Sequence, residues 1–219
     1  MISIYGVKLE VIQEVLQKNK ILDKTSIAGE CLDYVLTYDD KVLLSAFEEY
    51  KDNIYSTVGK SLAETFAALV IKNDIKFSVA ESLTGGRIAS KIVEIAGVSS
   101  VMMEGVVCYS NESKHCRLGV ENWLFETVGA VSKEVCKEML TGQNKYGVRL
   151  AMATTGIAGP TGDSKQKQLG LTYVGTKFDD DIVVTKNMFS GSRKDVIKEA
   201  TNVCIGNAIV LIKKHLAID

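Results

Sequence analysis

The sequence has almost no proline and very little histidine, and both shortages narrow the classes of protein to which it can belong. Its 219 residues include one proline, Pro160, and two histidines, His115 and His215. Because it also lacks a Gly/Ser-rich tract, we expect no flexible linker between domains. A Ser-His-Asp triad is poorly supported, since His215 falls near the end of the last predicted helix, where a cation is favoured for other reasons.

Cysteine is present without the spacing that a metal site or a disulfide framework needs. No two of the five cysteines form a Cys-x-x-Cys pair. They are Cys31, Cys108, Cys116, Cys136 and Cys204. The odd count and wide spacing favour free thiols in a reducing compartment. We therefore expect no metal ion and no cofactor.

Neither charge sign dominates the chain. Lys and Arg total 26 and Asp and Glu total 27, for a net charge of -1, so we expect no broad basic surface and no nucleic-acid partner. The N-terminus lacks the basic start and apolar run of a signal peptide. No apolar stretch reaches the roughly 18 residues of a membrane helix. These features predict a cytoplasmic protein with no membrane partner.

Helical and strand-like patterns alternate from about residue 56 onwards. The spacing of apolar residues predicts helices over residues 58–75, 85–95, 111–119, 133–146 and 193–216. Strands are predicted over residues 77–80, 101–109 and 148–155, followed by a hairpin of residues 170–178 and 182–189. This order predicts an α/β fold, a three-layer α/β/α arrangement around a mixed sheet.

The first 53 residues have a different pattern. A short strand is predicted over residues 2–7, with helices over residues 9–19 and about 41–50. The stretch is short for an independent domain. We interpret residues 1–53 as a small N-terminal appendage of unknown role, docked on a main domain of residues 54–219.

Two polar segments that follow predicted strands combine residues of catalytic type. Ligands of open α/β sheets gather at the carboxyl ends of strands. Residues 80–86 read Ala-Glu-Ser-Leu-Thr-Gly-Gly, where two glycines and a helix start suit a phosphate or an oxyanion, although a simple capped helix start fits too. Residues 109–114 place Lys114 five positions after Tyr109. A lysine with a lowered pKa is a suitable general base, but a solvated helix is the alternative.

Two further segments suit binding. Residues 154–162 follow a buried strand and hold three glycines, which favours either a ligand loop or a tight connection. Residues 189–193 end with Arg193, which fits a phosphate clamp as well as it fits ordinary surface charge.

Taken together these motifs resemble the C-terminal domain of the CinA (competence/damage-inducible protein A) family. The matching stretches are residues 80–86, 109–114, 128–132, 155–160 and 189–193, in family order, and the resemblance covers residues of about 56 to 212. It implies an α/β/α domain that forms homodimers and hydrolyses the amide of nicotinamide mononucleotide to nicotinate mononucleotide and ammonia. The family's serine nucleophile, lysine base and assisting tyrosine fall on Ser82, Lys114 and Tyr109.

The resemblance also suggests which residues contact the substrate. These are Thr84, Gly85, Gly86, Asn111, Thr155, Gly156, Gly159 and Arg193. The chain departs from the family pattern at Gln168, where proline is usual, at Leu171, where threonine is usual, and at Thr155, where serine is usual. The loop departures bear on substrate affinity more than on the serine–lysine chemistry.

Two other functions remain open at this stage. The loop departures fit a non-catalytic nucleotide-binding or regulatory module of the same fold. An adaptor linked to DNA uptake or repair is suggested by the family name alone. Longer family members carry an N-terminal molybdopterin-binding-like domain, for which residues 1–53 are too short.

Overall fold

The chain folds into two sheets with helices packed on them. The structure is a computed structural model that describes residues 1–162 and 167–218. Within these residues the strands are β1 Ile2–Tyr5, β2 Ser26–Glu30, β3 Asp33–Thr37, β4 Ile54–Ser56, β5 Phe77–Glu81, β6 Met102–Val107, β7 Leu150–Gly156, β8 Leu171–Phe178 and β9 Asp181–Met188. The α-helices are α1 Leu9–Lys18, α2 Asp40–Ala46, α3 Leu62–Lys72, α4 Arg87–Val93, α5 Asn111–Leu118, α6 Asn122–Thr127, α7 Lys133–Thr141 and α8 Arg193–Leu216.

The larger sheet is mixed, as the sequence predicts. Its strand order is β6-β5-β7-β8-β9. Strand β5 pairs in parallel with β6 and with β7, and the pairs β7–β8 and β8–β9 are antiparallel. The carboxyl ends of β5, β6 and β7 therefore meet at one edge of the sheet, with β5 in the middle.

Helices cover both faces of this sheet. Side chains of α3, α4 and α8 form one buried cluster with Val79 and Met152, whereas side chains of α7 form a second cluster with Ala80 and Ala153. Successive strand residues point to opposite faces, so neighbours such as Val79 and Ala80 serve different clusters. The three-layer α/β/α prediction is confirmed.

The N-terminal residues build a second, smaller sheet. Its strands are all antiparallel, in the order β2-β3-β1-β4. The residues buried around it include Ile4, Leu16, Leu36 and Phe47. Strand β4 pairs with β1, so the N-terminal sheet continues past residue 53 as far as Ser56.

Several local elements differ from the sequence prediction. Strands β2 and β3 were not predicted, because β2 is mostly exposed and its turn to β3 uses Cys31 and Leu32 at positive φ, without the glycine or asparagine that usually marks such a turn. Helix α6 was also missed. The helix predicted over residues 41–50 is interrupted at Phe47 and continues as a 3₁₀ helix, Glu48–Asn53.

The N-terminal sheet packs directly on α8. The ring of Tyr5 lies against Gly206, where an added Cβ would sit 2.3 Å from the ring atoms Cδ2 and Cε2. Tyr5 also belongs to the buried cluster of the main domain. None of the helices within residues 1–162 and 167–218 is both long enough and apolar enough to cross a bilayer.

We expect Gly206→Ala to lower the free energy of unfolding by about 1–3 kcal/mol. Alanine favours a helix interior by about 1 kcal/mol over glycine, but the new methyl group overlaps the Tyr5 ring, and overpacking of this kind costs about 1–3 kcal/mol or more. Thermal denaturation measures the change. Combining Gly206→Ala with Tyr5→Leu should cost less than the sum of the two single changes. A melting temperature at or above that of the wild type would contradict the packing argument.

Candidate active site

The polar segments after β5, β6 and β7 converge at the carboxyl edge of the larger sheet. Ser82 follows β5 directly, and its backbone N–H donates to the carbonyl of Thr154 in β7 at 3.1 Å. On the other side, the N–H of Cys108 donates to the carbonyl of Glu81 at 2.8 Å. These bonds extend the two parallel pairings by one residue and fix the start of each connecting segment.

Ser82 and Lys114 form the centre of the site. Lys114 Nζ lies 3.0 Å from Ser82 Oγ, and the side chains are almost fully buried, with Lys114 1% and Ser82 8% exposed. Helix α5 begins after Ser110, whose hydroxyl accepts the N–H of Ser113 at 3.0 Å. That cap places Lys114 in the first turn, from which its side chain reaches back to the end of β6.

Two backbone carbonyls orient the Lys114 amine. Nζ donates to Cys108 O at 2.8 Å and to Tyr109 O at 3.0 Å. A neutral amine has two N–H groups and one lone pair. With both N–H groups on carbonyls, the lone pair of a neutral Lys114 faces the Ser82 hydroxyl, which is then the donor.

Because Lys114 is buried, a useful fraction of its amine is neutral near physiological pH. Loss of hydration lowers the pKa of Lys114 to about 8, with a small opposing effect from Cys108. Desolvation disfavours the charged form of a buried lysine. At pH 7 about a tenth of the amine is then neutral, which is enough to act as a base.

The side chain of Tyr109 lies apart from this pair. It is 59% exposed, and its hydroxyl accepts a hydrogen bond from Arg193 Nη2 at 2.8 Å. Arg193 also donates from Nη1 to the carbonyl of Gly159 at 2.7 Å. Arg193 thus links the segments that follow β6 and β7, and an assisting role for the Tyr109 hydroxyl stays a prediction.

Glu81 occupies the helix start that the sequence suggested for a phosphate or an oxyanion. Its buried carboxylate accepts the N–H groups of Gly86 at 3.0 Å, Ile88 at 3.1 Å and Ala89 at 2.9 Å. Gly85 donates instead to Ser82 O at 3.2 Å. Among the described residues, the N–H groups of Leu83 and Thr84 have no protein acceptor.

Sequence reasoning missed this role of Glu81, although the residue stands next to Ser82 in the motif. A carboxylate near a helix N-terminus is favoured by the helix dipole, but Glu81 ends β5 and stands well before Gly86, the N-cap of α4. Gly85 and Gly86 adopt φ values of 60° and 93°, and only this left-handed backbone turns the chain so that the helix amides face Glu81. Glu81 thereby holds the turn that presents Ser82.

We expect Glu81→Ala to lower the free energy of unfolding by about 2–5 kcal/mol. A buried amide that loses its acceptor costs about 1–3 kcal/mol. Only the Ile88 hydrogen bond is fully buried, and the part-buried bonds of Gly86 and Ala89 cost less because water replaces the acceptor. Glu81→Gln, which keeps one carbonyl oxygen, should lose less. Chemical denaturation of both variants tests the expectation. If Glu81→Ala unfolds at the wild-type denaturant concentration, the carboxylate does not support the turn.

The last three residues of β7 contribute mainly structure. The hydroxyl of Thr154 lies 2.8 Å from that of Thr84, while Thr155 donates to Ala130 O at 2.9 Å. Gly156 is tightly enclosed, since an added Cβ would lie 2.7 Å from Thr172 Oγ1. These contacts occupy the hydroxyls of Thr84 and Thr155, two of the predicted substrate contacts, within the protein.

The remaining predicted residues lie at the surface of this edge or near it. Asn111 is exposed at the start of α5. Gln168 is exposed, and Leu171 is buried at the start of β8. Residues 163–166, which belong to the loop that departs from the family pattern, lie outside the described residues.

Two clefts flank Arg193. One, of about 660 Å³, is lined by Thr84, Gly85, Gly86 and side chains of α4 and α8. Its charged lining residues are Arg87, Lys91, Arg193, Lys198 and Glu94. The other, of about 530 Å³, lies between residues 158–160 and 189–193. Lys198 pairs with Glu30, and Lys91 lies 3.9 Å from Asp33. Cations in a concave surface attract anions such as phosphate, and among the described residues Arg87 and Arg193 are the cleft cations that form no ion pair.

The fold and this edge define an α/β protein with a buried serine–lysine pair beside a basic cleft. Among the described residues, no three His, Cys, Asp or Glu side chains converge to hold a metal ion. The family model for the CinA C-terminal domain matches residues 59–212. The chain therefore belongs to the CinA family, as the motifs predict.

Relatives of known sequence carry names from the same family. The chain is 42% identical over 151 residues to a putative competence-damage inducible protein of Clostridium beijerinckii, a match that covers 68% of this chain and 37% of that protein. It is 34% identical over 198 residues to the protein of the same name from Clostridium botulinum (strain Langeland), covering 90% and 46%. The chain thus spans less than half the length of these relatives.

Solved structures agree with the fold of the main domain. The competence/damage inducible protein CihA from Agrobacterium tumefaciens is 31% identical with a TM-score of 0.63, over 70% of this chain and 92% of that one. A CinA superfamily protein from Enterobacter cloacae, 22% identical, has a TM-score of 0.66 over 69% and 90%. The second likeness concerns the fold alone.

Proposed function

We propose that the chain is an amidohydrolase that converts nicotinamide mononucleotide to nicotinate mononucleotide and ammonia. The observation that carries the proposal is the 3.0 Å contact between Lys114 Nζ and Ser82 Oγ in a buried site. A serine with a lysine base is a known arrangement for attack on an amide. The choice of nucleotide rests on the family resemblance and is supported by the basic cleft around Arg193.

The chemistry begins with a proton transfer. Neutral Lys114 takes the hydroxyl proton of Ser82 as the oxygen attacks the carboxamide carbon. The negative charge that develops on the amide oxygen is stabilised by backbone N–H donors, for which Leu83 and Thr84 are the candidates without a protein acceptor. The backbone amides of Gly85 and Gly86 are less suitable oxyanion donors, because they already have acceptors within the protein.

The second half of the reaction restores the enzyme. The Lys114 ammonium returns its proton to the leaving nitrogen, so ammonia departs and an ester of Ser82 remains. Lys114 is then neutral again and removes a proton from a water molecule, which attacks the ester carbon. Nicotinate mononucleotide leaves as Ser82 regains its proton.

Arg193 is the proposed anchor for the substrate phosphate. It lines both clefts and is held at 2.7–2.8 Å by Gly159 and Tyr109. A guanidinium binds phosphate through two parallel hydrogen bonds. The phosphate would compete for these donors, which couples binding to the position of Tyr109.

The decisive experiment is an ammonia assay on purified protein with nicotinamide mononucleotide. We expect stoichiometric ammonia and nicotinate mononucleotide, with slower release from nicotinamide riboside, which lacks the phosphate. Binding of the mononucleotide without turnover would select a non-catalytic nucleotide-binding or regulatory module instead. If the protein neither binds nor hydrolyses nicotinamide mononucleotide, this compound is not its substrate.

We also propose that the protein acts as a cytoplasmic homodimer, as the family resemblance implies. Strand β6 lies at the edge of the larger sheet, and its Met103 and Val107 are 40% and 47% exposed. An uncovered edge strand with apolar side chains is a frequent site of association. Light scattering would give the mass of the assembly directly.

A further inference from the structure

Two adjoining cavities lie where the N-terminal sheet meets α3 and α8, far from the candidate active site. Their volumes are about 380 Å³ and 460 Å³, and Lys51, Ile54, Tyr55 and Lys213 line both. We call the pair the junction groove. Lys213 lies twenty residues along α8 from Arg193, which corresponds to about 30 Å of helix.

The junction groove has an apolar lining. Its walls include Ile54 of β4, Leu69 of α3 and Ile209 of α8. Two further lining residues, Leu44 and Val58, are 37% and 66% exposed. Exposed apolar side chains clustered around a concavity are typical of a surface that receives an apolar ligand.

The charge of the groove has one sign almost throughout. Among the described residues, five lysines line the groove against a single carboxylate, Asp52. The lysines are Lys51, Lys60, Lys72, Lys213 and Lys214. The whole chain has a net charge of -1, so this excess is local.

Three of these lysines form no ion pair within the described part of the chain. Lys214 pairs with Asp181 at 2.9 Å and Lys51 approaches Glu48 at 3.9 Å. Lys60 forms no such pair, although its charge helps to lower the pKa of Glu64, and neither Lys72 nor Lys213 pairs with a carboxylate of the described residues. Lys213 is only partly exposed. The buried hydroxyl oxygen of Thr65, another lining residue, has no hydrogen-bond partner.

Helix ends explain part of this pattern but not all of it. Lys72 and Lys213 lie in the last turns of α3 and α8, where cations offset the helix dipole. Each helix end carries about half a negative charge, so two ends offset about one of the five lysines. With Asp52 and the pairing partners Asp181 and Glu48 also counted, the described residues leave the groove a small positive excess beside its apolar lining.

We infer that the junction groove binds a small organic anion, a carboxylate or phosphate head group on an apolar body. The apolar body packs against Ile54, Leu69 and Val210, and the head group pairs with Lys213 and with Lys60 or Lys72. A small molecule fits better than a protein segment because the cavities lie within the range of about 300–1,000 Å³ usual for such ligands. The inference does not depend on the proposed catalytic activity.

Competition binding on the full chain tests this inference. The probe is 8-anilinonaphthalene-1-sulfonate, an anion with an apolar body, followed by its fluorescence. Decanoate and octyl phosphate should displace it, whereas decylamine, with a similar tail and a positive head group, should not. Raising the salt concentration should weaken the binding, since exposed charges are screened.

Two variants localise the site. Lys213→Glu should weaken probe binding at least tenfold by reversing the central charge, and Ala68→Trp should block the cavity beside α3, where Ala68 is exposed and lines the wall. Lys137→Glu, on the exposed side of α7, is the matched control and should bind as the wild type does. Circular dichroism establishes that each variant is folded.

Two outcomes would overturn the inference. One is equal probe binding by the wild type, Lys213→Glu and Ala68→Trp. The other is a displacement pattern that does not fit a small organic anion. Such a pattern is displacement by decylamine as effective as that by decanoate, or displacement by an acidic peptide but not by decanoate or octyl phosphate. Loss of binding in both groove variants, with retention in Lys137→Glu, would support it.

Discussion

Changing Ser82 to alanine is expected to reduce ammonia release from nicotinamide mononucleotide by about 10⁴-fold or more, the loss usual when a nucleophile is removed from a hydrolase. The proposed mechanism forms a covalent ester on Ser82 Oγ, so no other group can replace that oxygen without a new reaction path. The measurement is kcat from initial rates of ammonia production. Substrate affinity should change little, because the phosphate anchor is elsewhere.

The matched control is Ser90→Ala. Ser90 is exposed on α4 and lines the basic cleft, but the proposal gives it no chemical step. Ser90→Ala should retain close to wild-type kcat. The two variants should melt within a few degrees of the wild type, since each loses only one hydroxyl. More than a tenth of wild-type kcat in Ser82→Ala would refute the nucleophile assignment.

The meeting of Ser82 and Lys114 is the part of the site most accessible from sequence. Each residue follows a predicted strand, and parallel strands bring their carboxyl ends to one edge. The apolar patterns of residues 77–80 and 101–109 indicate those strands. The two side chains are 32 residues apart in the sequence, and it is the pairing of β5 with β6 that brings them together.

The use of the helix amides could not be predicted in the same way. The motif of residues 80–86 fits a helix start that receives a ligand and one that is capped from within. Only the left-handed turn at Gly85 and Gly86 decides between them, because it brings the α4 amides to the Glu81 carboxylate. A glycine pair permits that turn but does not require it.

Side-chain direction at the surface was equally inaccessible. The family role of Tyr109 suggested a hydroxyl near Ser82, yet the ring points towards Arg193, which lies 84 residues later in the chain. Hairpin β2–β3 was missed for a related reason, because Cys31 and Leu32 adopt a backbone that their residue types rarely favour. In each case a contact distant in sequence sets the local conformation.

The second large effect concerns Lys114 and pH. If the neutral amine is the base, kcat should rise about tenfold per pH unit below pH 8 and level off above it, since the pKa of Lys114 is about 8. Between pH 6 and pH 9 the neutral fraction grows from about 1% to about 90%. At pH 9 Lys114→Arg should lose about 10³–10⁴-fold in kcat, and its kcat should lack the rise between pH 6 and pH 9, because a guanidinium does not deprotonate in proteins.

The control for this profile separates chemistry from binding. A phosphate monoester titrates near pH 6, so KM is expected to change in the lower part of the range while kcat follows Lys114. Saturating substrate at each pH isolates kcat. A kcat that stays flat between pH 6 and pH 9 in the wild type would exclude a titrating amine as the base.

The same lowered pKa predicts how stability depends on pH. Burial lowers the pKa of Lys114 from 10.5 to about 8 in the folded state, so between these values the unfolded chain binds the proton and the folded chain does not. Stability rises with pH wherever the unfolded state binds more protons. The free energy of unfolding of the wild type, relative to Lys114→Met, should therefore increase between about pH 8 and about pH 10.5. A difference that is constant or falls over this range would mean that Lys114 is not desolvated, and the base assignment would lose its physical cause.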